Sequence, residues 1–376
     1  MRGGRDPISR PGDHGPALDV ATCQRMFGDF ARHSATAAPL YGELSDGVAD
    51  DPELAALLLT APVVQRQPVL LFACVHWLVL AHPDEPLAAF YPNVAARLGV
   101  ERPPGPAIEA FRAFCGDHAA DLRRLLSTRR TQTNEIGRTA LFLPVFALVE
   151  RDAGPFAHVD VGASAGLNLL HPFYDFSYEP GGEIGSGSTV RITCGTRGQP
   201  PIPSTRPTVV SGTGLDATPI DVRDPDQARW LEACVWPDQV ERFERLAAAV
   251  AIAVREGVDV RRGDAVTDVG ALVAEAAAVG HPVVTTSWVL NYLTSAQRLA
   301  FVAALDAAGA ERDLSWVYAE NPTLCPELPG GPVRPPSASD PTALVLVRWR
   351  GGRREAVHVA DTHPHGRWLH WLGTPT

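Results

Sequence analysis

The chain has 376 residues, and all 33 of its basic side chains are arginine, which excludes a Schiff-base lysine, a lysine nucleophile and the phosphate-binding lysine of a P-loop. Its net charge of -10 disfavours a nucleic-acid partner, since contacts to phosphate require a basic surface, so a small molecule is the expected partner. The six cysteines are never closer than 40 positions (234 - 194), which excludes paired zinc ligands and is typical of buried thiols in a reducing cytoplasm.

The N-terminal third is predicted to be helical. Residues 1–18 are polar and lack the apolar segment of a signal peptide, so a disordered tail is expected. Residues 19–150 are predicted to form a helical lid domain, with proline breaks that include Pro144. The helical stretches are Val69–Leu80, Ala107–Leu126 and Thr139–Glu150. The longest apolar run, 69–81, is shorter than the roughly 20 residues that span a bilayer, so no membrane partner and a cytoplasmic location are expected.

Residues 151–376 are predicted to form an α/β domain with an insertion at about 180–237. Short strand candidates alternate there with helices, which indicates a Rossmann-like, mostly parallel sheet. The strand candidates are His158–Val161, Val258–Arg261, Pro282–Thr286 and Leu314–Ala319, and the helices between them are Val266–Val279 and Thr294–Ala308.

The C-terminal part is predicted to add antiparallel strands. Residues 326–342 are rich in proline and glycine and should form a mobile loop. After it, Gly351-Gly352 separates Ala343–Arg350 from Arg353–Ala360, which predicts a two-residue hairpin. The segment Arg367–Leu372 could extend that hairpin.

A glycine-rich turn follows the first strand, in HVDVGASAGLNLL at 158–170. Small residues allow close approach of the backbone to a ligand, and the N-terminus of a following helix offers N–H groups, so this turn is a candidate cofactor cradle. Gly162, Ser164 and Gly166 would line the turn, Asp160 would orient it, and Asn168 would begin the helix.

The same residues also match G-x-S-x-G, the nucleophile elbow of α/β-hydrolases, with Ser164 as the nucleophile. The acid would be Asp264 or Asp306, and the histidine would be His358, His363 or His365. The context disfavours a hydrolase, because the preceding region is predicted to be helical and contains no oxyanion-loop glycine motif. The hydrolase stays as an alternative.

Three later segments favour the cofactor interpretation. Gly263-Asp264-Ala265 ends one strand, Ser287-Trp-Val-Leu-Asn-Tyr292 follows another, and Glu320 ends a third. Carboxyl ends of strands in a doubly wound sheet converge on the ligand. Together with the turn, these segments resemble those of class I S-adenosylmethionine-dependent methyltransferases over residues 155–320. The resemblance implies S-adenosylmethionine as cofactor and methyl transfer to oxygen or nitrogen of a small molecule. Transfer or cyclisation of the aminocarboxypropyl arm, releasing methylthioadenosine, is the alternative with the same cofactor.

The resemblance and the residue types assign roles. Asp264 would contact adenine and Ser287 would line the cofactor site, while Arg138 would bind a ligand carboxylate. Asn134 and Glu135 could polarise or deprotonate a substrate. Further candidates for catalysis are Tyr174, Tyr292 and Glu320. No metal is expected, because His363 and His365 have no neighbouring third ligand and a solvated loop is the simpler interpretation.

One feature departs from the methyltransferase pattern. In that family the second strand normally ends in an acid that binds the ribose hydroxyls, but the candidate strand Thr189–Thr193 ends in Cys194-Gly195, which leaves Asp175 as the substitute. More closely, the chain is similar to a bacterial family of unknown function. The segments that carry this similarity are Thr131–Arg138, Gly162–Asn168 and Trp236–Gln239. The sequence leaves a homodimer open.

Overall fold

The computed structural model describes residues 19–333 and 341–373. The predicted tail at 1–18 lies outside the described residues, as does 334–340 of the predicted loop. The described residues fall into two compact units: a helical unit of 19–133 with 223–247, and a sheet unit of 134–222 with 248–373.

Twelve α-helices and eleven strands make up the described residues. The helices are α1 Val20–Ser34, α2 Pro39–Ala49, α3 Pro52–Ala56, α4 Pro68–Ala81, α5 Pro92–Leu98, α6 Ile108–Asp117, α7 Ala119–Thr128, α8 Thr139–Ala153, α9 Pro225–Ala233, α10 Val240–Glu256, α11 Ala265–Ala277 and α12 Ser295–Glu311. The strands are β1 Phe156–Val161, β2 Asp175–Glu179, β3 Gly182–Ile184, β4 Arg191–Arg197, β5 Val209–Asp216, β6 Val260–Arg262, β7 His281–Ser287, β8 Leu314–Glu320, β9 Thr342–Arg350, β10 Arg353–Thr362 and β11 Trp368–Trp371.

The helical unit is built around α4, which is apolar on all sides and almost entirely buried. A helix of this kind belongs in a protein core or in a membrane. No helix among the described residues is long and apolar enough to cross a membrane. The single helix predicted at Ala107–Leu126 is two helices, α6 and α7. Their junction is His118, whose Nε2 lies 2.9 Å from a carboxylate oxygen of Glu85.

The Trp236–Gln239 segment stabilises the helical unit through contacts of Asp238 and Trp236. Asp238 accepts a hydrogen bond from the backbone N–H of Leu40 at 3.3 Å, in the first turn of α2. That helix begins at a proline and has no side-chain cap of its own, so the carboxylate satisfies one of its terminal N–H groups. The Trp236 ring packs 5.9 Å from Phe30 and 6.2 Å from Tyr41.

The break predicted at Pro144 does not occur, because α8 continues through the proline. Proline cannot donate the backbone hydrogen bond that the carbonyl of Ala140 would otherwise accept. In its place, the hydroxyl of Tyr178 in β2 donates to that carbonyl at 2.7 Å. The helix therefore tolerates the proline, since no buried acceptor is left without a donor.

The sheet unit contains one mixed sheet with the strand order β3-β2-β4-β11-β10-β9-β8-β7-β1-β5-β6. Strands β8, β7, β1, β5 and β6 are parallel neighbours, and β9, β10 and β11 follow them in antiparallel fashion. The prediction of an α/β fold with a mostly parallel sheet and antiparallel C-terminal strands is thereby confirmed. The hairpin is confirmed as well, with Arg350 paired to Arg353 across two glycines of positive φ.

The segment predicted as an insertion contains a strand of the parallel part of the sheet. β5 lies within it and pairs in parallel with β1. The candidate second strand, Thr189–Thr193, corresponds instead to β4, which lies between β2 and β11 in the outer half of the sheet. The candidate strand is therefore present, but its neighbours are β2 and β11 and not β1. β5 has weak strand character because Gly212 and Gly214 interrupt it, and a Cβ at Gly214 would lie 2.7 Å from Ala163.

The main core of the sheet unit lies between the parallel strands and helices α11 and α12. Every residue of β1 and β8 is buried, as expected for central parallel strands covered on both faces. Leu272 and Leu305 pack from the helices against Val161 and Trp316 of the strands. This packing fixes the carboxyl ends of β1, β7 and β8 relative to one another.

Candidate functional site

The order of the parallel strands identifies one edge of the sheet as the ligand-binding candidate. After β1 the chain first forms β2, β3 and β4 at the far end of the sheet, then β5 and β6 on one side of β1, and then β7 and β8 on its other side. The direction of winding therefore reverses between β1 and β7. Ligands of open α/β sheets bind at such a reversal, outside the carboxyl ends of the strands. The glycine turn, the segment after β7 and Glu320 all lie at this edge.

Backbone strain is concentrated at the same edge. Ser164 (φ +55°) and Trp288 (φ +53°) are the two non-glycine residues of the described chain with positive φ, and they follow β1 and β7. Such conformations are held in place by surrounding contacts and cluster at functional sites. Trp288 donates its backbone N–H to Ala319 O at 3.1 Å and its indole N–H to Thr342 Oγ1 at 2.9 Å.

The glycines of the turn are required by the protein itself. Gly162 and Gly166 have positive φ, at +79° and +72°. A Cβ at Gly162 would clash with Val289, and one at Gly166 would clash with Val258. Packing and conformation therefore explain both glycines without a ligand. The helix expected after the turn is a 3₁₀ helix, Leu167–Phe173, in which Pro172 removes one donor.

Five backbone N–H groups of the turn are already used inside the protein. The pairs are Gly162 N and Ala163 N to Leu215 O, Ser164 N to Asp216 Oδ2, Gly166 N to Ala163 O, and Leu167 N to Asn134 Oδ1. A phosphate-binding turn requires such groups to point at the ligand. This turn therefore offers little to an anion.

Acceptor atoms at the same edge have no donor. Five buried oxygens form no hydrogen bond with the described residues: Asp160 Oδ2, Ser164 Oγ, Asn168 Oδ1, Asn291 Oδ1 and Glu320 Oε2. Buried polar atoms in folded proteins are nearly always paired, so a group of unpaired ones points to a missing partner. Since most of these atoms can act only as acceptors, the partner should be rich in donors or positively charged.

Asp160 is held by a hydrogen-bonded chain that continues into the sheet. The hydroxyl of Thr285 donates to Asp160 Oδ1 at 2.7 Å, and Nε2 of His158 lies 2.8 Å from that hydroxyl oxygen. Because the single hydroxyl proton goes to Asp160, the proton of His158 resides on Nε2. Burial raises the pKa of Asp160 to about 7, with a further increase from nearby Asp216, while the Thr285 hydrogen bond and Arg138 oppose the increase.

Glu320 ends β8 and is also fully buried. Its Oε1 accepts hydrogen bonds from Val289 N at 3.1 Å and Leu290 N at 3.2 Å, which fixes the segment after β7. Burial raises the pKa of Glu320 to about 7, although both hydrogen bonds and nearby Arg138 favour the charged form. The site therefore contains two carboxyl groups that change charge near neutral pH.

Asp216 is the residue that sequence reasoning missed. It ends β5, next to β1, and its Oδ2 and Oδ1 accept from Ser164 N at 2.8 Å and Thr218 N at 2.7 Å. The sequence contained a signal, since an acid followed by turn residues closes a segment that can pair as a strand. The proposed substitute, Asp175, forms an ion pair with Arg206 at 2.6 Å.

Arg138 joins two parts of the site. Its Nε donates to Pro364 O at 2.8 Å, and its Nη1 donates to Ser287 O at 3.0 Å and to Ser287 Oγ at 3.3 Å. Ser287 is the last residue of β7. The predicted cofactor residues Arg138 and Ser287 are therefore in contact, at the carboxyl end of that strand.

Asn134 and Glu135 lie against the same edge. Asn134 Oδ1 accepts the Leu167 N–H at 3.0 Å, which ties the segment to the glycine turn. Glu135 Oε1 accepts the Gly137 N–H at 2.9 Å, and its Oε2 lies 3.3 Å from Nδ1 of His365. His365, near the C-terminal end of the chain, therefore lies next to Glu135, which was predicted to act in catalysis.

Three predicted site residues have surroundings that suggest other tasks. Tyr174 is fully buried and donates to Leu167 O at 2.8 Å, and burial raises its pKa well above 10, so it supports the 3₁₀ helix. Asp264 is exposed and caps α11 by accepting from Val266 N and Thr267 N. Tyr292 is 70% exposed at the surface after β7.

A cavity of about 150 Å³ lies elsewhere in the sheet unit, between β1, β5 and α11. His158, Ser211 and Glu275 are among its lining residues. It is smaller than the roughly 300 Å³ at which ligand pockets begin, and it does not include the unpaired oxygens. The carboxyl edge therefore remains the candidate site.

The family model described as "Uncharacterized protein conserved in bacteria (DUF2332)" matches residues 24–371. The match covers most of the chain, which therefore belongs to this bacterial family. The similarity expected from the Thr131–Arg138, Gly162–Asn168 and Trp236–Gln239 segments is confirmed at this level. No curated protein and no solved structure matches the chain.

Proposed function

We propose that the sheet unit is a Rossmann-like domain that binds S-adenosylmethionine at the carboxyl edge and transfers its methyl group to oxygen or nitrogen of a small molecule. One observation carries the proposal: the glycine turn uses five of its N–H donors internally, whereas the surrounding buried oxygens have no donors. A ligand that fits must bring donors or positive charge and need no phosphate cradle.

The chemistry of the candidate ligands separates them. Dinucleotides and nucleoside triphosphates carry phosphates, which the used N–H groups cannot bind and which Asp160, Asp216 and Glu320 would repel. S-adenosylmethionine carries a sulfonium, an ammonium group and a ribose diol, all of which suit acceptors. The lack of lysine does not hinder methyl transfer, because the step requires alignment rather than an amine.

Specific residues would hold the cofactor. Asp216, at the end of the strand beside β1, would accept the ribose hydroxyls, which supplies the acid that the sequence comparison lacked. Asp264 would contact the adenine and Arg138 the carboxylate. Asp160 and Asn168 would accept from the ammonium group through their unpaired oxygens. When bound, the cofactor supplies an electrophilic methyl group, and the chain's residues orient the acceptor towards it.

Two other functions are compatible with parts of the site. Transfer of the aminocarboxypropyl arm would use the same cofactor contacts and differ in the nucleoside released. A serine hydrolase is favoured by the strained conformation of Ser164, which is typical of a nucleophile elbow. It is disfavoured because β1 is the first strand of the described residues, so no earlier strand supplies the loop that completes a hydrolase oxyanion hole. In addition, Ser164 Oγ has no base within hydrogen-bond distance among the described residues.

The test is a binding comparison by isothermal titration calorimetry with S-adenosylmethionine, NAD⁺ and ATP. We expect binding of the first ligand alone. Asp216→Asn should weaken it roughly tenfold or more, because hydrogen bonds to a charged group contribute about 1.5–3 kcal/mol. Asp259→Asn, at an exposed residue, is the matched control. Binding of NAD⁺ or ATP in preference to S-adenosylmethionine would refute the proposal.

Product analysis separates the remaining alternatives. Mass spectrometry of the nucleoside should detect adenosylhomocysteine after methyl transfer and methylthioadenosine after transfer of the arm. Labelling of Ser164 by a fluorophosphonate, without any cofactor binding, would favour the hydrolase. The melting temperature of free Asp216→Asn distinguishes a lost cofactor contact from a damaged turn, since Asp216 also accepts the Ser164 N–H.

A further inference from the structure

The loop at 363–366 packs closely against the segment at 135–138. A Cβ at Gly366 would clash with the Gly137 carbonyl, and one at Gly137 would lie 2.5 Å from the His365 carbonyl. The two backbones therefore approach more closely than any larger residue allows. Arg138 adds a hydrogen bond to Pro364 O at 2.8 Å. The solvated loop expected from the sequence is instead a fixed part of the site.

This close packing places His365 beside the buried carboxylate of Glu135. Nδ1 of His365 lies 3.3 Å from Oε2 of Glu135, and the two side chains are 38% and 1% exposed. The other oxygen, Oε1, accepts the Gly137 N–H at 2.9 Å, so the carboxylate cannot rotate away without losing that bond. The result is a partly exposed imidazole oriented by a fixed, buried acid.

The neighbouring histidine has a different state. Burial, together with the proximity of His365 and Arg367, lowers the pKa of His363 to about 4 against the opposing charge of Glu135, so His363 is neutral at physiological pH. Its Nδ1 accepts the His365 backbone N–H at 3.0 Å, which fixes the loop. Within 19–333 and 341–373, the charged and titratable groups around His365 include Glu135, His363, Arg367 and Arg138.

We propose that His365 is the general base of the reaction and that Glu135 is its positioning residue. The inference rests on the function proposed above and deepens it. The negative charge of Glu135, 3.3 Å from Nδ1, favours the tautomer with the proton on Nδ1 and the lone pair on Nε2. This is the arrangement by which a buried acid selects the tautomer of a catalytic histidine.

The step defines the class of acceptor. The acceptor's lone pair forms the new bond to carbon, the carbon–sulfur bond breaks with its electron pair going to sulfur, and the acceptor's proton passes to Nε2 of His365. The positive charge of the imidazolium is then balanced by Glu135. The acceptor must therefore be a hydroxyl or an N–H group that loses a proton, and not a tertiary amine or a thioether.

The position of the pair agrees with this role. Arg138 bridges Pro364, next to His365 in sequence, and Ser287 at the carboxyl end of β7. One guanidinium group therefore spans the distance between the loop and the proposed cofactor edge. Asn134, adjacent to Glu135, contacts the glycine turn from the same segment.

The pair can be tested without knowing the acceptor. Diethyl pyrocarbonate modifies neutral imidazoles, and peptide mass spectrometry can follow His365 together with exposed His370 as internal reference between pH 5.5 and 8. In Glu135→Gln, the pH midpoint for modification of His365 should move lower by about half a unit, the size expected for a partly exposed ion pair, while that of His370 stays unchanged. An unchanged midpoint at His365 would overturn the proposed pairing.

Turnover tests the catalytic role separately. The assay uses S-adenosylmethionine with the small-molecule fraction of a bacterial extract as the source of acceptor, and measures the nucleoside product. His365→Asn should reduce kcat at least about 100-fold with unchanged cofactor affinity, while His370→Asn retains activity. Glu135→Gln should shift the pH–rate profile of the remaining activity. Equal kcat in the wild type and His365→Asn would refute the base.

The outcomes keep the two proposals apart. If the wild type neither binds S-adenosylmethionine nor forms a nucleoside product, the proposed function fails and with it the base. If it binds and turns over but His365 is dispensable, the base alone fails.

Discussion

Replacement of Glu320 by glutamine should make the protein more stable and at the same time a weaker cofactor binder. Glu320 Oε1 accepts two backbone N–H groups, from Val289 and Leu290, whereas Oε2 has no donor. Glutamine keeps an oxygen for the two N–H groups and removes the charge. Glu320→Gln therefore preserves the segment after β7 and deletes only the buried negative charge.

The magnitude follows from the pKa of Glu320, which burial raises from 4.5 to about 7. Between these values the folded protein holds a proton that the unfolded chain has released, so stability falls as the pH rises through this window. Above pH 7 the deficit reaches about 3.5 kcal/mol, at roughly 1.4 kcal/mol for each pH unit. Glutamine has no such deficit, so the variant should exceed the wild type by up to that amount at pH 8 and by little at pH 5.

The assay is urea unfolding at pH 8 and pH 5, combined with calorimetric titration of S-adenosylmethionine. Glu327→Gln is the matched control, because its carboxylate accepts from Arg298 at 2.9 and 3.0 Å and that contact lowers its pKa to about 2. The control should lose stability at pH 8. If Glu320→Gln also loses stability at pH 8, or binds the cofactor as tightly as the wild type, the charge of Glu320 is structural and the reasoning fails.

Two further predictions follow from other contacts. Affinity for S-adenosylmethionine should fall as the pH decreases from 8 to 6, because Asp160 and Glu320, with pKa values of about 7, become neutral and no longer attract a cation. Calorimetry at constant ionic strength measures this, and a flat profile would contradict it. Tyr178→Phe should lower the unfolding free energy by about 1–3 kcal/mol. The Ala140 carbonyl in α8 receives its hydrogen bond from the Tyr178 hydroxyl, since Pro144 has no N–H to donate, and the variant removes that hydroxyl. An unchanged urea midpoint would show that the carbonyl is satisfied in another way.

Some strands and turns were predictable because the tertiary structure that requires them also leaves a local pattern in the sequence. β1, β7 and β8 are short apolar runs because parallel strands are covered on both faces, and their boundaries come within two residues of the candidates. The hairpin between β9 and β10 was predictable because two consecutive glycines supply the positive φ that a two-residue turn requires.

Other elements could not be predicted because their cause lies elsewhere in the chain. β5 contains Gly212 and Gly214, of which Gly214 leaves no room for a Cβ beside Ala163, and these glycines hide a strand from any count of apolar residues. Asp216 was missed for that reason. The continuity of α8 depends on Tyr178 in another element. The approach of Glu135 and His365 is set by the sheet and by two glycines, neither of which shows in local sequence.

The lack of lysine limits how the site can handle protons and charge. Arginine stays protonated, so Arg138 can orient a ligand or balance a charge but cannot accept a proton during turnover. Tyr174, with its pKa raised well above 10 by burial, is also unsuited to this task near neutral pH. Among the described residues, the groups that the proposals give a role in handling protons are Asp160 and Glu320, with pKa values of about 7, and His365 beside Glu135. If the two carboxylates face a cationic cofactor, protonating either one weakens binding, which leaves the imidazole as the group that can accept the acceptor's proton without releasing the cofactor.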